Sequence, residues 1–152
     1  MESRIIMKRR FASTEPTKEW LITGIRLVCM FLFLYTAYAK LVDHDRFLKG
    51  LSGVHLISGL AVFISWFVPL IEILTFILLL IPYTAKSGLY LFLAMMVVFT
   101  GYISGVLLWA KIIPCHCGGV IENLSWTQHL WFNLAFIGLA IIALRLHKSN
   151  NQ

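Results

Sequence analysis

Apolar residues run through this chain in four long stretches, and polar residues gather in the gaps between them. The stretches cover roughly 20–39, 57–80, 88–110 and 129–146, each near the ~20 residues that cross a bilayer core at ~1.5 Å per residue. Apolar runs of this length read as transmembrane helices, because a helix bonds its backbone groups within a single segment. The pattern predicts an all-α, four-helix transmembrane bundle spanning residues 20–146. Residues 1–19 form a polar, basic lead and 147–152 a short polar tail. An even number of spans places both termini on one side.

The gaps carry their own signals. "KLVDHDRFLKGLSGVH" (40–55) mixes charges of both signs and reads as a solvated loop, although it is long enough for a short interfacial helix. "IPYTAKS" (81–87) closes a tight hairpin, with Pro82 ending one helix and Lys86 anchoring the next. Trp20, Trp109, Trp126 and Trp131 fall near span ends, where indoles sit between headgroups and tails. Trp66 falls inside the second span and is expected to pack within the bundle. Gly101 and Gly105 have the spacing that lets a neighbouring helix approach closely.

Composition agrees with the pattern: 59% of residues are hydrophobic, mean hydropathy is +0.82, and water is not the main solvent. The net charge of +6 does not indicate nucleic-acid binding, because the cations cap apolar runs and form no basic stripe. They orient the bundle instead. Arg4, Lys8, Arg9, Arg10, Lys18, Lys86, Arg145 and Lys148 share one side, against Lys40, Arg46, Lys49 and Lys111 on the other. The positive-inside rule then puts both termini in the cytoplasm. The basic start, the apolar "LVCMFLFLY" and the "AYA" at 37–39 also resemble a cleavable signal, but cleavage there would leave an odd number of spans.

Two charges lie inside the apolar runs. Glu72 is about eight residues from the cytoplasmic end of its span, roughly 12 Å deep, and Arg26 about six residues from the same side, roughly 9 Å deep. A carboxylate at that depth needs a partner or a proton, so an Arg26–Glu72 pair is expected.

The remaining chemistry is in "PCHCGG" (114–119), on the outer side of the predicted topology. That compartment is oxidising. Cys115 and Cys117 must bend to bring their α-carbons within about 4.4–6.8 Å of one another. Gly118 and Gly119 permit the bend and Pro114 fixes its entry. A bridge in so small a ring is strained and easily reduced, and His116 and Lys111 favour the reactive thiolate. Reversible thiol–disulfide exchange is the leading reading. A Cys–His–Cys metal site completed by His129, His44 or His55 and a purely structural bridge are the others.

Cys29, near the middle of the first span, reads as a buried small hydrophobe. The chain therefore lacks a second dithiol, and electrons must pass to a partner or to a carrier such as a quinone among the helices. Lys40, Asp43, His44 and His55 share the outer face as docking candidates for that partner or headgroup.

"YAKLVDHDRF", "VPLIEILTFILLLIP" and "PCHCGG" on a four-helix frame resemble the MauE branch of the DoxX-like membrane proteins. Lys40, Pro69, Glu72, Cys115 and Cys117 match that pattern. The resemblance implies a redox-associated, multi-pass inner-membrane protein that works with an extracytoplasmic thioredoxin-like partner. It also implies a link to disulfide maturation of methylamine dehydrogenase. Candidate site residues are thus Cys115, His116 and Cys117 for catalysis, and Lys40, His44 and Glu72 for a cofactor such as quinone. Two other classes remain. One is a non-enzymatic accessory or scaffold subunit with a structural cysteine loop. The other is a small-molecule or metal transporter using Glu72, for which so small a bundle would need to form a homo-oligomer.

Overall fold

The computed structural model describes residues 16–54, 57–109 and 125–149. Every described element is helical: α1 (Pro16–Val42), α2 (His44–Ser52), a short 3-10 turn (Ser58–Leu60), α3 (Ala61–Leu80), α4 (Ala85–Trp109) and α5 (Trp126–Ser149). Among the described residues, four segments are long and apolar enough to cross a membrane: Thr17–Val42, Ser58–Leu80, Ala85–Gly105 and Thr127–His147. This is the expected all-α frame of four membrane helices.

The helices form a ring in which α1 packs on α3 and α5, and α4 packs on the same two. The terminal end of the ring holds the start of α1 and the end of α5. The loop end holds α2, the end of α4 and the start of α5. Large side chains such as Phe31, Phe63, Val98 and Leu108 point outwards. In water such a surface would aggregate; against acyl chains it meets a matching solvent.

The interior at mid-height is an aromatic stack. Phe33 of α1 and Phe92 of α4 meet at 4.4 Å between ring centres, and Phe92 reaches Phe136 of α5 at 6.3 Å. Towards the terminal end the core narrows to small and aliphatic groups, with Cys29, Leu79, Leu89, Ala140 and Ala143 all fully buried. Cys29 takes the expected place of a buried hydrophobe. Trp20 and Trp131 project from near helix ends.

Three sequence expectations are corrected. Residues 44–52 are a helix, not a solvated loop. Their apolar face, Phe47 and Leu51, is buried against Ala61 and lined by Ile64 and Val68, which gives the segment a reason to be helical. Trp66 is 53% exposed on the bundle surface and does not pack inside, because it lies off the α3 face that buries Ala61, Ser65, Pro69 and Glu72. A Cβ built on Gly101 or Gly105 meets nothing within 4 Å, so no described helix uses their spacing for close approach. That role belongs to Gly88, packed against the backbone of Leu78 and Leu79 in the α3–α4 hairpin.

The hairpin ends α3 before Pro82, as a residue preceding proline disfavours the helical region. Thr84 then donates its hydroxyl to the Leu78 carbonyl at 2.9 Å, satisfying one of the acceptors left at the helix end. At the start of α5, Ser125 and Gln128 cap each other: the Ser125 amide donates to Gln128 Oε1 at 2.8 Å and the Gln128 amide to Ser125 Oγ at 3.3 Å. This is a capping box. It starts α5 three residues before the predicted span.

Candidate functional site

The inner face of α3 carries Ser65, Pro69, Glu72 and Thr75, all buried, in a helix otherwise made of large apolar residues. Pro69 removes the amide that would bond to the Ser65 carbonyl and so opens the helix ladder one turn before Glu72. Thr75 returns its hydroxyl to the Ile71 carbonyl at 2.7 Å. Ser65 and Glu72 look outward from α3 to other elements, and each finds a partner there.

Glu72 is completely buried, and Lys40 Nζ of α1 stands 2.7 Å from its Oε1. Thr36, one turn before Lys40, donates to the same oxygen at 3.1 Å. The ammonium also lies over two rings, 5.8 Å from the centre of Phe47 on α2 and 5.5 Å from that of Phe99 on α4. Lys40 thus bridges three elements as a largely enclosed cation, with a carboxylate on one side and the negative faces of two rings on others. Its side chain keeps 12% of its surface exposed.

The expected Arg26–Glu72 pair does not form. Thr36 lies level with Glu72, so Arg26 sits about ten residues nearer the terminal end, roughly 15 Å away along the helix. Counting depth from the span ends misplaces the register, because α1 begins at Pro16 and runs to Val42. Lys40 is not beyond the span but inside the helix, and its long side chain reaches one turn down to the carboxylate. Arg26 Nε is buried without a hydrogen bond.

His44 opens α2 and faces the start of α3. Its Nε2 is 3.1 Å from Ser65 Oγ, and its ring lies 4.4 Å from that of Trp66. The Ser65 hydroxyl donates to the Val62 carbonyl at 2.8 Å, so towards His44 its oxygen accepts and Nε2 carries the proton. Ser65→Ala is expected to lower stability by about 1 kcal/mol, the typical net value of one such bond. A thermal-unfolding midpoint in detergent checks this; no shift would mean that the Ser65 contact adds nothing to the Trp66 contact in fixing the His44 ring.

Beside His44 is a surface cleft of about 440 Å³ lined by Val42, Asp43, His44, Asp45, Arg46 and Lys49. Of the proposed docking residues, Asp43 and His44 line it, whereas Lys40 turns inward to Glu72. His55, Cys115, His116 and Cys117 lie outside the described residues. Residues 110–124 join the end of α4 to the start of α5, both at the loop end where Lys40 and His44 stand. Among the described residues no group of three or more His, Cys, Asp or Glu is arranged to hold a metal.

Sequence reasoning passes over Asn133 of α5 and considers His129 only as a metal ligand. His129 and Asn133 occupy one helix face, one turn apart, on the stripe that continues to Phe136 and Ala140. Asn133 is 4% exposed, and His129 lies within electrostatic reach of Lys40. Their i, i+4 spacing inside an apolar run is the signal that could have found them.

Four apolar helices around a buried lysine–carboxylate pair define a multi-pass membrane protein with a charged site inside its spans. The family model for methylamine utilisation protein MauE matches residues 18–146, and the chain belongs to that family. Membership ties this membrane protein to methylamine utilisation. No curated protein and no solved structure matches the chain.

Proposed function

We propose that this protein carries out thiol–disulfide exchange through Cys115 and Cys117, in support of disulfide formation in an exported protein. The observation that carries this reading is the burial of Cys29, which sits fully enclosed in α1. That leaves Cys115 and Cys117 as the pair to which the reading assigns the exchange. Both belong to the segment joining α4 to α5. A client thiolate attacks one sulfur of the loop disulfide, the second sulfur leaves as thiolate, and a second client thiol resolves the mixed disulfide. The client loses two electrons and two protons, and the loop becomes a dithiol. His116 takes or returns the proton between the two sulfurs.

The reading sets both termini in the cytoplasm, the loop outside and the protein in the cytoplasmic membrane, as the lysine and arginine asymmetry favours. A thioredoxin-like protein docks at the Asp43–Lys49 cleft, where charges of both signs flank His44. The wider DoxX-like kinship and maturation of methylamine dehydrogenase are the finer reading of the same residues.

Thiol trapping in intact cells with a membrane-impermeant maleimide tests this. Cys115 and Cys117 are expected to resist labelling until a mild reductant is added, then to take up two labels, with Cys29 unlabelled throughout. Labelling only after the membrane is broken would place the loop in the cytoplasm and end the proposal. Cys115→Ser and Cys117→Ser are expected to abolish client oxidation; full activity in both would leave a scaffold role.

A further inference from the structure

The Lys40–Glu72 pair has polar neighbours that find no bond among the described residues. Glu72 Oε2, Asn133 Nδ2 and His129 Nδ1 are each buried without a hydrogen-bond partner, and Glu72 and Asn133 are themselves 0% and 4% exposed. They come from opposite sides of the ring, α3 and α5, and they share a depth. Phe33, Phe92 and Phe136 mark one level. One turn towards the loop end α1 presents Thr36, bonded to Glu72, and α5 presents Asn133. A further turn on are Lys40 and His129. Unpaired polar atoms inside an apolar bundle are costly to keep and point to a ligand that completes them.

The donor set describes that ligand. Asn133 Nδ2 can only donate, a carboxylate oxygen paired with a lysine can only accept, and His129 Nδ1 does either according to its tautomer. The site lies among helices facing acyl chains, so its ligand arrives through the lipid. Phe99, Phe132 and Phe136 supply apolar walls near these groups. We propose that this layer binds the headgroup of a lipid-phase quinone, with Asn133 Nδ2 and His129 Nδ1 donating to its carbonyl oxygens. When the ring is reduced, a new hydroxyl donates to Glu72 Oε2, so the carboxylate selects the quinol.

This inference rests on the exchange reading for its purpose: the loop dithiol needs an acceptor, and the sequence holds no second dithiol. Oxidation of Cys115 and Cys117 to the disulfide releases two electrons and two protons. A quinone taking up both becomes the quinol, so the step balances without a further reactant.

The test is binding of a short-chain ubiquinone and its quinol to the purified full chain in lipid nanodiscs, with empty nanodiscs as the partition control. The wild-type chain is expected to bind both above the control. Asn133→Leu, which leaves the Lys40–Glu72 pair intact, is expected to weaken both by about tenfold, and His129→Phe to weaken the quinone by a similar factor. Glu72→Gln is expected to retain quinone binding while losing about tenfold in affinity for the quinol. Binding no better than empty nanodiscs, or equal binding by wild type and Asn133→Leu, would overturn the proposal. The same titration on Cys115→Ser/Cys117→Ser is expected to match wild type. Quinone binding with no thiol exchange would then sink only the exchange reading, and exchange with no quinone binding only this one.

Discussion

Lys40→Met is expected to lower stability by about 3–5 kcal/mol, the range found when one partner of a buried ion pair is removed. The substitution keeps most of the side chain's length and apolar stem, so the loss falls on the charge. Glu72 is then a fully buried carboxylate whose strongest partner is gone, with Thr36 alone still donating to it. It must take up a proton or draw water into the bundle. Glu72→Gln is expected to cost less, about 1–3 kcal/mol, for a reason visible in the geometry. The carboxamide oxygen that replaces the carboxylate can still accept from Thr36 and Lys40, and the ammonium keeps the faces of Phe47 and Phe99. Replacing both partners by apolar groups, Lys40→Met with Glu72→Leu, is expected to recover most of the single-mutant loss, because no charge is stranded. The midpoint of unfolding in mixed detergent, for wild type, Lys40→Met, Glu72→Leu and the double variant, measures the coupling. Additive losses would mean that the two groups, although 2.7 Å apart, contribute independently.

This pair shows what can and cannot be read along the chain. Span number and helical class follow from apolar run length, and the burial of Cys29 follows from its place within a run. Both are local properties. Glu72, Lys40 and His44 each stand out in the sequence, yet counting depth gives Glu72 the wrong partner. A partner depends on the register between α1 and α3, and a one-turn error in a helix end moves that register by about 5 Å. Two further signals reduce the error. "SWTQ" at 125–128 is a capping box that marks the start of α5, and the alternation of charges in 43–49 is amphipathic enough to continue a helix beyond the span. His129 and Asn133 are legible as one face of α5. That this face turns towards Lys40 depends on the closing of the ring, which periodicity within one helix does not report. The Cys115–Cys117 loop falls outside the described residues, so the exchange proposed for it rests on the sequence.

Gly88→Leu is expected to prevent the α3–α4 hairpin from closing, and Gly88→Ala to cost about 1–3 kcal/mol. Two effects oppose each other at this position. Alanine is the better helix former by about 1 kcal/mol, since glycine loses more backbone freedom on folding. Against that, a Cβ on Gly88 would stand 2.9 Å from the Leu79 amide nitrogen and 3.0 Å from the Leu78 carbonyl carbon. Those are backbone atoms, held by the end of α3 and by Thr84 bonded to the Leu78 carbonyl, so no side-chain rotation relieves the contact. The two helices must separate, which loosens Leu79 and Leu89, both fully buried in the core beside them. Sterics therefore decide the sign. Gly138→Ala supplies the control, because a Cβ there meets nothing within 4 Å, and the same propensity gain acts unopposed. It is expected to raise stability by up to about 1 kcal/mol. Thermal-unfolding midpoints for Gly88→Ala and Gly138→Ala in one detergent should move in opposite directions. A shared direction would show that helix propensity, and not the tight hairpin, governs both sites.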